Sequence, residues 1–502
     1  MAAAIPPTAD TSSSSPPAPP LTEPVDRLIT TRHTLATGAG ELRYTARTGR
    51  IVLREEDLDG GVFRGWRARG QLAVTAYTLD DADPATRPLT FVFNGGPGSA
   101  SVWLHLGLAG PRRVEMGEPG ATLPPPYALV DNPDTLLHAT DLVFIDPMST
   151  GQSRAVEGGR PGEFHGFAKD VEQIAELIRL WCTREDRWMS PKFLLGESYG
   201  TLRAVAVAER LSSAHRLALN GLVLVSSVLS YANQDFESAR WDEACVHFLP
   251  TYAAVAHYHG VGAPGPLPEV LAEAEAFADG EYAAALRAGR RLDPARRAAV
   301  VAEVVRLTGL SEGYVDRADL RIEHMRFCAE VLRDRGLVVG RIDGRFTGPA
   351  RSRVAELPDA DPSMDALEGP YAAAIHHYLR AELGSDLDLP FAVYAAAAGE
   401  EWSYAEFDGR AVDVTDRLER VLRANPHLRV RVEYGRYDLA TPYHAAEDTL
   451  AHLRLDDAAW DRLEHAYFDA GHMPYLDAAC RAAESAGIVD FIRRACPAAN
   501  PS

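Results

Sequence analysis

Two kinds of hydrophobic spacing run along the chain. The segments "LRYTART" (42–48), "GRIVL" (49–53) and "LAVTAYTL" (72–79) carry β-branched and aromatic residues with turn residues between them. They predict a set of antiparallel strands. Continuous apolar runs follow, each ending at a turn: "LTFVFNGGPGSAS" (89–101), "DLVFIDP" (141–147), "KFLLG" (192–196) and "GLVLVSS" (221–227). A short apolar run that stops at Gly, Pro or Ser predicts a buried strand. Between these runs the period lengthens. "GFAKDVEQIAELIRLWC" sets Phe167, Val171, Ile174, Ile178 and Trp181 at helical spacing, and "TLRAVAVAERL" also reads as helix. Strands alternating with helices predict a mostly parallel sheet with helices on both faces, an α/β fold.

The rhythm breaks near Tyr231. From there to about Asp388 the chain is rich in Ala, Arg and Glu, with helical periodicity and few buried-strand candidates. This predicts a mainly helical cap inserted between two halves of the core. "RVRVEYGRYD" (429–438) restores the strand pattern, "HAYFDAGHMPY" follows, and an amphipathic helix begins at about Asp477. The resulting division is a disordered tail at 1–26, the first part of the core at 27–230, the cap at 231–388 and the second part of the core at 389–502.

Composition narrows the function. A formal net charge of -20 argues against a nucleic-acid partner, because a phosphate backbone would be repelled. The Pro-, Ser- and Ala-rich N-terminus has no basic segment followed by an apolar one, so it does not read as a secretory signal. No run approaches the ~18 apolar residues needed to span a bilayer. A cytoplasmic protein is expected. Cys182, Cys245, Cys328, Cys480 and Cys496 are widely spaced and form no CxxC pair, so buried free thiols are expected rather than zinc or a disulfide framework. An Ala-rich cap also offers a face on which two copies of the chain could pair.

The candidate chemistry lies in "LLGESYG" (194–200). A strand, then Gly-x-Ser-x-Gly, then a helix predicts a sharp turn that lifts the Ser198 hydroxyl clear of the sheet. Glycine is needed on both sides because a side chain there would meet neighbouring backbone. A serine hydroxyl needs a base, and the base needs an orienting carboxylate. In this architecture both come from the ends of later strands, in the order Ser, acid, His. Asp438 follows "RVRVEYGRY" and His472 follows "HAYFDAG". Among competitors, His465 belongs to a strand start, His444 to a helix start and His376–His377 to a helix surface. Asp469 is too close to His472 to come from the preceding strand. A negative oxygen formed by attack needs fixed N–H donors. The Tyr199 amide is one candidate, and the glycine loop "NGGPG" (94–98) offers a second.

The motifs "FNGGPGSAS", "NPDTLLHATDLVFIDPMSTGQSR", "FLLGESYGTLRA", "YGRYDLATPY" and "AGHMPY" together resemble the serine carboxypeptidase family, peptidase family S10. The resemblance spans Phe91–Leu229 and Arg429–Tyr475, and the helical stretch between falls where that family carries its cap. It implies an α/β-hydrolase fold, release of the C-terminal residue of a peptide, and no metal or organic cofactor. It implies Ser198 as nucleophile, His472 as general base then acid, and Asp438 as its orienter. It further implies Gly96 and Tyr199 as oxyanion donors, and Asn94, Gly95 and Glu197 as the group that holds the substrate's terminal carboxylate. Two carboxylates repel unless one is protonated. Glu197 in that role needs a raised pKa, and activity biased to acidic pH is expected.

Three departures from the family pattern stand out. Leu108 occupies the place where many relatives carry a second glutamate that shares a proton with the first. Ser99 replaces a cysteine common in secreted relatives. "DPMSTGQSR" lacks the usual Gly-x-Gly-Phe-Ser ending, so a different pocket wall is expected near Ser149–Ser153. The leading expectation is a serine carboxypeptidase acting on a peptide through an acyl-enzyme. An acyltransferase or esterase with the same triad on a small acyl substrate is the first alternative, and a non-catalytic binding module on the same fold is the second.

Overall fold

The computed structural model describes residues 23–236 and 242–496. Most of the expected tail, residues 1–22, lies outside them. Its last four residues do not behave as tail: Asp26 accepts a hydrogen bond from the Val52 amide at 2.9 Å and pairs with Arg184 at 2.6 Å.

Nine strands order the main sheet. They are β1 (Arg27–Thr37), β2 (Gly40–Asp59), β3 (Val62–Leu79), β4 (Leu89–Phe93), β5 (Asp141–Asp146), β6 (Lys192–Glu197), β7 (Gly221–Val225), β8 (Arg429–Gly435) and β9 (Leu463–Phe468). Their spatial order is β1-β2-β3-β5-β4-β6-β7-β8-β9, with the two-residue strand Arg154–Ala155 paired to β3. The first three strands are antiparallel, β3 joins β5 antiparallel, and every pairing from β5 to β9 is parallel. This is the predicted mostly parallel sheet.

β4, β5, β6 and β7 are buried along their whole length. That is why they read as unbroken apolar runs. Alternate residues of these strands feed two cores. Phe91, Leu194 and Leu222 face helices α1 (Phe167–Arg184) and α2 (Tyr199–Arg210). Val92, Phe193, Leu195 and Val223 face the other side, with Tyr371 and Phe491. The predicted stripe of α1 is wholly buried: Phe167, Val171, Ile174, Ile178 and Trp181 are at most 5% exposed.

The N-terminal strands differ from the expectation in one respect. Residues 42–53 form one continuous strand and not two. Gly49 is not a turn: a Cβ there would lie 1.9 Å from the Arg27 carbonyl oxygen, so the glycine lets β1 pass close beside an unbroken β2.

From Ser226 to Leu428 no strand joins the main sheet among the described residues. Helices α3 (Asp242–Tyr258), α4 (Leu267–Phe277), α5 (Pro294–Thr308), α6 (His324–Glu330), α7 (Pro362–His377) and α8 (Thr415–Ala424), with shorter turns, fill this stretch. A small hairpin pairs Leu337–Val339 with Thr347–Pro349. Two further helices, α9 (Tyr443–Ala451) and α10 (Ala478–Ala495), follow β8 and β9. Asp477 caps α10, accepting from the Ala479 and Cys480 amides. All five cysteines are free, three of them buried. No helix among the described residues is long and apolar enough to cross a membrane.

Candidate active site

Ser198 occupies the turn between β6 and α2 at φ +60° and ψ −130°. That backbone conformation is strained for any residue but glycine. Along Lys192–Gly200, Ser198 alone is not buried. The turn is so close that a Cβ on Gly196 would lie 2.3 Å from the Gly200 carbonyl oxygen, and one on Gly200 3.0 Å from the Phe93 and Asn94 oxygens. The two glycines are what allow β6, the turn and the loop after β4 to meet.

That loop sits directly over the start of α2. A Cβ on Gly95 would lie 2.6 Å from the Tyr199 nitrogen. Its absence leaves uncovered an amide that, in the first helical position, has no acceptor within the helix. Gly96, at φ +102°, shares a cavity wall with Ser198 and Tyr199. The cavity measures about 790 Å³, within the range of small-molecule sites.

The acid and the histidine arrive from β8 and β9. Three loops are tied to the end of β7. The Ser198 amide donates to the Val225 carbonyl at 3.0 Å, the Ser226 hydroxyl donates to the His472 carbonyl at 2.6 Å, and the Thr441 hydroxyl lies 3.1 Å from the Ser226 carbonyl. Asp438 is fully buried. Its carboxylate accepts from the Ala440 and Thr441 amides at 2.8 and 2.9 Å, and has the Thr441 hydroxyl at 2.7 Å. His472 Nδ1 stands 2.7 Å from Asp438 Oδ2, which leaves Nε2 as the free ring nitrogen. Burial alone would lower the His472 pKa. The charge and hydrogen bond of Asp438, with the charge of Glu197 behind them, outweigh it and hold the pKa above its ordinary value.

Glu197 is 2% exposed, and burial pushes its carboxyl up to about 7. Its two oxygens accept from Asn94 Nδ2 at 2.8 Å and from the Tyr475 hydroxyl at 2.5 Å. Asn94 is 1% exposed, and its own oxygen accepts from the Leu104 amide at 3.1 Å. The expected carboxylate-binding set of Asn94, Gly95 and Glu197 is therefore brought together but turned inward. None of the three lines the cavity, and neither do His472 and Asp438. The polar atoms of Asn94 and Glu197 are satisfied by each other and by neighbours beneath its floor. Leu108 is fully buried among apolar residues, and Tyr475 supplies the proton-bearing neighbour that a second glutamate would have provided.

Other expectations resolve simply. His465 lies within β9 against Tyr434, His444 starts α9 beside Asp279, and His376 and His377 are exposed at the end of α7. The loop 149–153 does not line the cavity. Ser153 accepts from the Ala73 amide at 2.7 Å and donates to the Asp146 carbonyl at 2.6 Å, so this departure from the family pattern serves the scaffold. Two supporting groups were missed. Arg203 of α2 and Asp170 of α1 form an ion pair at 2.7 Å with both side chains inaccessible to solvent. Arg203 also donates to the Asn94 carbonyl, and the Tyr199 hydroxyl donates to Asp170 at 3.0 Å. The signal was an arginine set within the apolar run Leu202–Ala208 of this helix. The second group is Arg341–Arg345. Its Arg341 and Ile342 carbonyls accept from the Leu439 amide at 3.1 Å and the His472 amide at 2.7 Å.

Comparison with known proteins agrees with this architecture. The family model for serine carboxypeptidases matches residues 76–247, which bears out the resemblance read from the motifs. Kex1ΔP, a prohormone-processing carboxypeptidase from Saccharomyces cerevisiae, superposes with a TM-score of 0.52 at 16% identity, covering 90% of this chain and 91% of the other. A proline iminopeptidase from Mycobacterium smegmatis gives a TM-score of 0.37 at 15% identity, covering 86% and 97%. A thermostable carboxyl esterase from Bacillus coagulans gives 0.38 at 12%, covering 89% and 99%. No curated protein matches the sequence. The fold is that of the α/β-hydrolases, and family and fold together support a hydrolase.

Proposed function

We propose that this chain, which shares the motifs and fold of the serine carboxypeptidases, releases C-terminal residues from peptides through an acyl-enzyme. Ser198 is the nucleophile, His472 takes its proton through Nε2, and Asp438 holds the imidazole and stabilises its charged form. The Gly96 and Tyr199 amides receive the oxyanion. His472 then protonates the leaving amine, and water activated by the same nitrogen hydrolyses the ester. The observation that carries this reading is the convergence on β7. A strained, uniquely uncovered Ser198 and the buried His472–Asp438 pair are stitched to the last residues of one strand.

One observation favours a second reading. Asn94 and Glu197 face inward, so the wall that would distinguish a peptide acid from an ester is not the expected one. An esterase or acyltransferase uses the same triad. Incubation with N-blocked dipeptides and with small neutral esters separates the two, and the expected result is release of the C-terminal amino acid. Ser198→Ala is expected to lower kcat/KM by at least about a thousandfold and to abolish fluorophosphonate labelling. A folded wild-type protein that labels but cleaves only esters would overturn the peptidase reading.

A further inference from the structure

The cavity beside Ser198 carries five charged side chains besides His324: Asp235, Glu323, Arg326, Arg341 and Arg410. Four of them are committed. Glu323 caps α6, accepting from the Met325 and Arg326 amides, and pairs with the His324 ring at 2.9 Å. Arg326 is exposed and pairs with Glu356. Arg410 is exposed and lies over the Phe407 ring at 5.3 Å. Asp235 has a partner of its own.

Arg341 differs from all of these. It is half-buried, and among the described residues its guanidinium has no hydrogen-bond or ion-pair partner. Its backbone is fixed, because its carbonyl accepts from Leu439, the residue after Asp438. A half-buried guanidinium presents five N–H donors in a rigid fork suited to a carboxylate. None of its nitrogens is cut off from solvent, so the fork is open to an incoming anion. The cation is also close enough to His472 for its charge to oppose protonation of that ring.

We infer that Arg341, in the wall of the cavity that holds Ser198, binds the carboxylate of the substrate in place of the expected Asn94 and Glu197. This rests on the peptidase reading above and deepens it. The substrate class is a peptide, or a small acyl compound, with a free carboxylate one residue beyond the scissile bond. A neutral or amidated equivalent lacks the group that the arginine awaits.

Binding to the full-length Ser198→Ala protein tests this without catalysis. Calorimetry with an N-blocked dipeptide acid and with its C-terminal amide is expected to show tighter binding of the acid. Adding Arg341→Gln, or Arg341→Met to keep the packing of the stem, is expected to weaken the acid about 10–100-fold while the amide changes little, as for loss of a charge-assisted hydrogen bond. Arg341→Lys is expected to retain part of the preference. No preference for the acid, or one that survives both Arg341 removals, overturns the inference. So does a preference abolished by Glu197→Gln with Arg341 intact. Fluorophosphonate labelling of the wild type reports separately on the serine chemistry. Labelling without an Arg341-dependent preference leaves the hydrolase reading standing and removes this one, and a preference without labelling does the reverse.

Discussion

Glu197 links the site to pH in two ways that pull against each other. Burial holds its carboxyl at about 7, so below that pH it is neutral in the folded protein. The unfolded chain has it near the ordinary glutamate value, and folding therefore takes up a proton between the two. Its contribution to stability is fully present below about pH 4.5 and is lost as pH rises through about 7. Glu197→Gln is expected to flatten the dependence of Tm on pH across that window. Tyr475→Phe removes a hydrogen bond to the charged form and is expected to move the loss to higher pH. For activity the demand is different. In the proposed mechanism His472 must be neutral to accept the serine proton, and the Glu197 charge raises its pKa. Glu197→Gln is thus expected to shift the acid limb of kcat/KM to lower pH. An unmoved limb would show that the two groups are not coupled. The acid-biased activity expected from a protonated Glu197 has this limit set on it by His472.

At the scale of elements, the α1–α2 pair does what neither helix could do alone. Arg203 and Asp170 are both cut off from solvent, and through Asn94 and Tyr199 they fix the glycine loop after β4 and the start of α2, where the proposed oxyanion amides lie. Removing one member strands a buried charge. Arg203→Met is expected to destabilise the fold by about 3–5 kcal/mol, and the double variant with Asp170→Asn to recover much of it, measured by chemical denaturation. This pair also shows where reading a sequence stops. Helix phase is local, so the buried stripe of α1 and the strands around Ser198 were legible from periodicity alone. The meeting of Asp438 and His472 was legible because their strand-end positions follow from the architecture. A partner 33 residues away on another helix leaves no local trace. The inward turn of Asn94 and Glu197 was hidden for the same reason: it depends on Tyr475, which stands 278 residues further along the chain from Glu197.

Across the whole molecule, residues 341–345 bind the helical stretch to the loops that carry Asp438 and His472. Besides the bonds to Leu439 and His472, the Gly344 amide donates to the Tyr437 carbonyl at 3.0 Å, and Arg345 donates to the Asp469 carbonyl at 2.9 Å. Asp343 is fully buried, meets Arg345 at 2.7 Å and accepts from the Gly471 amide at 3.2 Å. A Cβ on Gly471 would lie 2.4 Å from that of Asp343, so the glycine in the histidine loop makes room for this segment. The acid and histidine loops are thus held by the same few residues that present Arg341. Two classes of variant should then separate. Asp343→Ala leaves the Arg345 charge buried with only Asp477 near, at 3.7 Å. It is expected to cost about 3–5 kcal/mol, or about 3–5 °C in Tm for a chain with a melting entropy of about 1 kcal/mol/K. Because it loosens the loops of both Asp438 and His472, it is expected to lower kcat for acid, amide and ester substrates alike. At a pH above the acid limb, where His472 is neutral, Arg341→Gln is expected to act on the acid alone, and mainly through KM. Parallel kinetics on the three substrates check this: if the Asp343 variant loses only the acid, the segment positions the substrate and not the triad.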